Sequence, residues 1–156
     1  MTGRLARVEL TGEALSRLSP AIEADRTQAV RDLLHENRFL AANAGEGPYA
    51  LHLSIAEGRL AFDIRDAASD APLSAVILAL GPFRGLIKDY LMMVDAHVQA
   101  VADGGEARVQ AIDMGRRGLH NEAAELLMQR LAGKIEIDFD TARRLFTLVA
   151  VLHQRG

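Results

Sequence analysis

The stretch Tyr49-Ala-Leu-His-Leu-Ser-Ile-Ala-Glu-Gly-Arg-Leu-Ala-Phe-Asp-Ile-Arg65 decides the fold. Tyr49, Leu51, Leu53 and Ile55 alternate with His52 and Ser54, then Leu60, Phe62 and Ile64 alternate with Arg59, Asp63 and Arg65. Two half-buried strands turning at Glu57 and Gly58 follow from that period of two. After a polar turn around Asp70 and Pro72, the run Ala75 to Leu80 is apolar on both faces, which predicts a central or helix-covered strand. The three strands make an antiparallel meander.

Upstream, Arg4 to Leu10 alternates as a short strand, and Asn43 to Pro48 is a loop of turn formers. Between them Ile22, Ala29, Val30, Leu33 and Leu34 recur at helical spacing over Pro20 to Asn37, with Ser19 placed as N-cap and Pro20 at the first helical position. Downstream, Phe83, Leu86, Ile87, Tyr90, Leu91, Val94, Val98 and Val101 form one helical stripe that ends at Asp103, Gly104 and Gly105. Met92 and Met93 in that helix read as core gap-fillers.

A second helical stretch runs from Glu106 to about Leu131, punctuated by Gly115 and Gly118. It is either one helix or two helices joined there, since each interior glycine costs about 1 kcal/mol. Lys134 to Phe139 alternates as a brief strand, and Asp140 is positioned to cap a last helix, Thr141 to His153. That helix is apolar nearly all round, so it is buried in this chain's core or against a second copy, which would make a homo-oligomer through residues 141–153. The order of elements is α+β: a small antiparallel meander of three or four strands packed by about four or five helices in two layers, in one domain over residues 1–156.

The 156 residues are 49% hydrophobic and 25% charged, with no cysteine, which excludes thiolate catalysis, disulfides and cysteine-based metal sites. Charged residues interrupt the first thirty positions and no apolar run approaches the ~20 residues that cross a bilayer, so a cytoplasmic protein is expected. A net charge of −3 and 4% aromatics disfavour nucleic-acid binding. The five histidines show no HxH, HxxxH or HExxH spacing, so no metal and no cofactor is expected.

Three stretches resemble the bacterial uncharacterised protein family 0262: Gly81 to Tyr90, Ala111 to Glu122 with its Gly-Arg-Arg-Gly-Leu-His-Asn-Glu run, and Ile137 to Gly156. The resemblance spans essentially the whole chain and implies a small cytoplasmic protein, with no assigned activity and no catalytic residue to carry over.

Chemistry-bearing side chains concentrate at Asp113, Arg116, Arg117, His120, Asn121 and Glu122. On a single helix, Ile112, Leu119, Ala123 and Leu126 face the core while Arg117 and Asn121 stack on the opposite side. With a break at Gly115 to Gly118, the arginine pair sits beside free amides of a new helix, where phosphate or carboxylate binds. Glu122 and Glu125 in that first turn oppose a bound anion. Arg84 and Lys88, four residues apart after Gly81 and Pro82, are a weaker basic group of the same kind, because Pro82 lacks an amide donor. His120 with Asp113 is the candidate acid/base pair. These residues suit a non-enzymatic interaction or regulatory module that uses the arginine-rich surface to hold a protein partner. The alternative is a small-molecule (phosphate or carboxylate) binding protein or small enzyme with an anion site at Arg116, Arg117 and His120.

Overall fold

The computed structural model describes residues 3–153; the three last residues of the family-like tail lie outside them. Strands β1 (Leu5–Thr11), β3 (Tyr49–Ala56), β4 (Arg59–Asp66) and β5 (Pro72–Ala79) form one sheet, and β2 (Phe39–Ala41) pairs with β6 (Ile135–Ile137) in a second. Helices α1 (Pro20–His35), α2 (Arg84–Ala102), α3 (Glu106–Leu131) and α4 (Phe139–His153) complete an α+β fold. The meander β3-β4-β5 is antiparallel as its alternation requires, and β1 joins it parallel to β3, so the sheet is mixed.

The hairpin turns at Glu57 and Gly58, both with positive φ (53° and 74°), the conformation that two-residue hairpin loops need. Tyr49, Leu51, Leu53, Leu60, Phe62 and Ile64 point into the core and are fully buried. β5 corrects the expectation of a covered strand. It lies at the sheet edge with Val76 and Leu78 buried, while Ile77 is 50% exposed. Its outward residues Ala75, Ile77 and Ala79 are apolar yet face solvent, so apolar composition alone did not report burial.

Ser19 caps α1 through its side-chain oxygen, which accepts from the Ile22 amide at 3.3 Å. The helix ends at His35, two residues before Asn37, whose amide replaces a strand partner: Oδ1 accepts from Leu5 N at 2.8 Å and Nδ2 donates to Leu5 O at 3.0 Å. α3 is continuous from Glu106 to Leu131, so Gly115 and Gly118 do not break it. Neither glycine has a positive φ, and a helix of this length absorbs the propensity cost by burying Leu119, Ala123, Ala124, Leu127 and Leu131.

α4 is capped by Asp138, not Asp140, because its Oδ1 accepts from the Thr141 amide at 2.9 Å and the helix begins at Phe139, two residues before the expected Thr141. It packs against α1, α2, α3, β1 and β3. Its residues from Leu145 to Leu152 are all buried by the chain itself. The face expected to serve a second copy through residues 141–153 is therefore already covered. Met92 is 58% exposed rather than a core filler, whereas Met93 packs over Gly115. Among the described residues no helix is long and apolar enough to cross a membrane.

Candidate functional site

Four helices meet at one polar cluster. Asp25 comes from α1, Tyr90 from α2, Arg116 and His120 from α3, and Arg143, Arg144 and Thr147 from α4. Arg116 Nη2 donates to Asp25 Oδ2 at 2.8 Å, and the Tyr90 hydroxyl donates to the same oxygen. Burial, reinforced by the Asp25 carboxylate, pushes the Tyr90 phenol above its ordinary range, so the hydroxyl stays a donor. The Arg116 guanidinium carbon also lies 5.8 Å from the Tyr90 ring centroid.

His120 is fixed at both nitrogens. Nδ1 lies 2.8 Å from the Arg116 carbonyl, which only accepts, so the proton sits on Nδ1; Nε2 then accepts from the Thr147 hydroxyl at 3.0 Å. Burial lowers its pKa, and the positive charges of Arg116 and Arg143 act in the same direction, so the ring is neutral at pH 7. Edge-to-face packing against Tyr90 (5.4 Å between centroids) and Phe146 (6.0 Å) sets its plane.

Beside this cluster a cleft of about 260 Å³ opens between α1, α3 and α4. Arg116, Arg143 and Arg144 line it with His120, Thr147 and the carboxylates of Asp25 and Asp32. The carboxylates are engaged: Asp25 holds Arg116 and Tyr90, and Asp32 accepts from Gln28 at 2.8 Å. Arg144 donates from Nη1 to the Glu36 carbonyl at 3.0 Å and so caps the end of α1. Arg143 is different. One Nη lies 3.6 Å from Asp140, but its Nε is buried with no hydrogen-bond partner among the described residues. A buried N–H of a charged group left unpaired is costly, about 1–3 kcal/mol or more.

Of the sequence candidates, Arg116 and His120 reach this cleft and the others do not. Arg117, Asn121 and Glu122 are exposed, as the single-helix geometry dictates. Asp113 faces His97 (3.4 Å) rather than His120, so the acid/base pair His120 with Asp113 does not form. Arg84 packs over Gly58 at the hairpin turn, and Lys88 is exposed on α2. The residues that sequence reasoning missed are Asp25, Asp32, Tyr90, Arg143, Arg144 and Thr147. A signal existed in the doubled arginine at the start of an otherwise apolar helix, and in Asp25 and Asp32, two turns apart on α1. Among the described residues no group of three or more His, Asp or Glu comes together as a metal site would require.

Comparison with known proteins matches residues 2–155 to the family described as "Uncharacterised protein family (UPF0262)". A relative from Granulibacter bethesdensis is 62% identical over 97% of this chain and 90% of its own length. One from Acidiphilium cryptum is 57% identical over 99% of this chain and 94% of its own, and one from Rhodopseudomonas palustris is 48% identical over 98% and 93%. Both the Granulibacter and the Acidiphilium protein carry the same family name and no activity. No solved structure matches. With the match running from residue 2 to residue 155 and relatives of this identity, the chain belongs to the uncharacterised protein family UPF0262.

Proposed function

We propose that the protein binds a small phosphate- or carboxylate-bearing molecule in the cleft between α1, α3 and α4. The single observation that carries this reading is the convergence of three guanidiniums, Arg116, Arg143 and Arg144, on one cleft. Guanidinium forks match oxyanions in pairs; here Arg116 is matched by Asp25 and Asp32 is taken by Gln28, which leaves Arg143 and Arg144 without a carboxylate partner among the residues lining the cleft. The volume, about 260 Å³, is just below the range of about 300–1,000 Å³ common for drug-sized ligands, so the ligand is small. Neutral His120 contributes hydrogen bonding rather than charge. Arg117 plays no part in this site. Thermal unfolding against salt-matched phosphates, nucleotides and small carboxylates tests the reading. A ligand at about a hundred times its dissociation constant adds ~2.7 kcal/mol, a rise of several degrees that Arg143→Gln abolishes; no rise with any member of the panel contradicts it.

A second reading is a non-enzymatic interaction or regulatory module. What favours it is exposed Val98 and Val101, one turn apart on α2, and exposed Met114 one turn before exposed Arg117 on α3. It predicts a protein partner retained by the native chain and lost with Val98→Asp and Val101→Asp, with ligand-dependent melting unchanged.

A further inference from the structure

The cleft between α1, α3 and α4 is lined by charges of both signs, and some of them do not meet. Asp25 is matched by Arg116 and Tyr90. Asp32 is not matched in this way. Arg116, Arg143 and Arg144 line the same cleft, yet among the described residues its carboxylate forms an ion pair with none of them. The carboxylate accepts instead from the neutral, exposed amide of Gln28 at 2.8 Å. Arg144 turns to the main chain, donating from Nη1 to the Glu36 carbonyl at 3.0 Å and to the Asp32 carbonyl at 3.4 Å. Arg143 reaches Asp140, an exposed residue one turn back on α4, at 3.6 Å. The fold does not account for a carboxylate at position 32. It stands in the last turn of α1, where the helix end carries partial negative charge and disfavours another. An anion alone in this cleft is also repelled by it.

We propose, resting on the anion-binding reading of this cleft, that its ligand is a small zwitterion whose phosphate or carboxylate lies on Arg143 and Arg144 and whose ammonium lies on Asp32. Both halves of the ligand then meet a group that the fold leaves without a charged partner inside the cleft. An ammonium brings three donors, and Asp32 does not receive them alone. Gln28 gives its Nε2 to Asp32, which leaves Oε1 as a second acceptor on the same helix face. Charge-assisted hydrogen bonds of this kind are the strong ones at each end of the ligand. A volume of about 260 Å³ suits an amino acid or an aminoalkyl phosphate, both of which carry the two charges. Asp32 thereby acts on specificity in two directions, since it repels a pure anion and holds a zwitterion.

Isothermal titration calorimetry on the full chain at constant ionic strength tests this with two matched pairs of probes, glutarate against glutamate and ethyl phosphate against O-phosphoethanolamine. The members of each pair differ by one ammonium group. In at least one pair the ammonium-bearing member is expected to bind about tenfold or more tightly than its partner. Asp32→Asn keeps the shape of the side chain and its acceptor for Gln28, and is expected to erase that gain. The ammonium-free member then binds as tightly as before or more tightly. Arg143→Gln is expected to weaken both members. A carboxylate that only shapes the end of α1 gives another pattern, with both members weakened together by Asp32→Asn, and that result overturns the proposal. Equal affinity within both pairs also overturns it and leaves the anion site standing. No binding of any of the four probes overturns the anion site and the zwitterion together.

Discussion

Arg116 of α3 and Asp25 of α1, ninety-one residues apart in sequence, meet through a 2.8 Å hydrogen bond, and the carboxylate oxygen they share also takes the Tyr90 hydroxyl of α2. One carboxylate thereby ties three helices together. Its partner side chains are only about a quarter exposed, at 22% for Arg116 and 26% for Asp25, so the bond is worth more than a surface ion pair. Tyr90→Phe should cost about 2 kcal/mol in chemical denaturation, the range for a hydrogen bond to a charged group. A double-mutant cycle with Asp25→Ala should give a coupling above about 0.5 kcal/mol, and additivity would mean that the contact does not hold the helices.

His120 makes stability depend on pH in a defined direction. Its folded-state pKa lies below the ordinary value of 6.5, so the unfolded chain binds the proton more readily. The contribution is complete above about pH 6.5 and is lost as pH falls through the depressed folded value. The melting temperature of the native chain should therefore fall between pH 7.5 and pH 5.5 more steeply than that of His120→Gln. Equal slopes for the two proteins would contradict the neutral, doubly bonded ring.

The continuity of α3 is tested at Gly118, where an added Cβ meets nothing within 4 Å and φ is not positive. Gly118→Ala should stabilise the protein by about 0.5–1 kcal/mol, since alanine loses less backbone entropy than glycine in a helix. Destabilisation by that amount would indicate a break.

The meander, the Ser19 cap and the helical stripe through Ile87, Tyr90 and Val94 were legible because each has its own period or end signal. β6 was legible in the alternation of Lys134 to Phe139, whereas the parallel entry of β1, the three-residue partner strand β2 and the edge position of β5 were not, because so short a strand and the choice of neighbours leave no periodic trace. The site was half legible. Arg116 and His120 stand in one conspicuous run, but Asp25, Tyr90, Arg143 and Thr147 reach them through packing of separate helices, which one segment of sequence does not encode. The conspicuous run also misled: Arg117, one residue from Arg116, is turned about 100° around the helix into solvent.

Phe146, fully buried at the centre of α4 and in edge contact with both Tyr90 and His120, links the core to the site. Phe146→Ala should cost about 3–5 kcal/mol and weaken ligand binding with it. A loss under about 1 kcal/mol would place the load elsewhere.

The most direct measurement follows the Nε–H signals of the arginines by nitrogen-15 NMR while inorganic phosphate and then a small dicarboxylate are titrated in at constant ionic strength. The anion-binding account predicts that the Arg143 Nε–H resonance moves saturably with one of them, with smaller shifts at Arg116 and Arg144 and none at Arg117. An Arg143 resonance that stays in place throughout both titrations, or shifts shared equally with exposed Arg117, would contradict it.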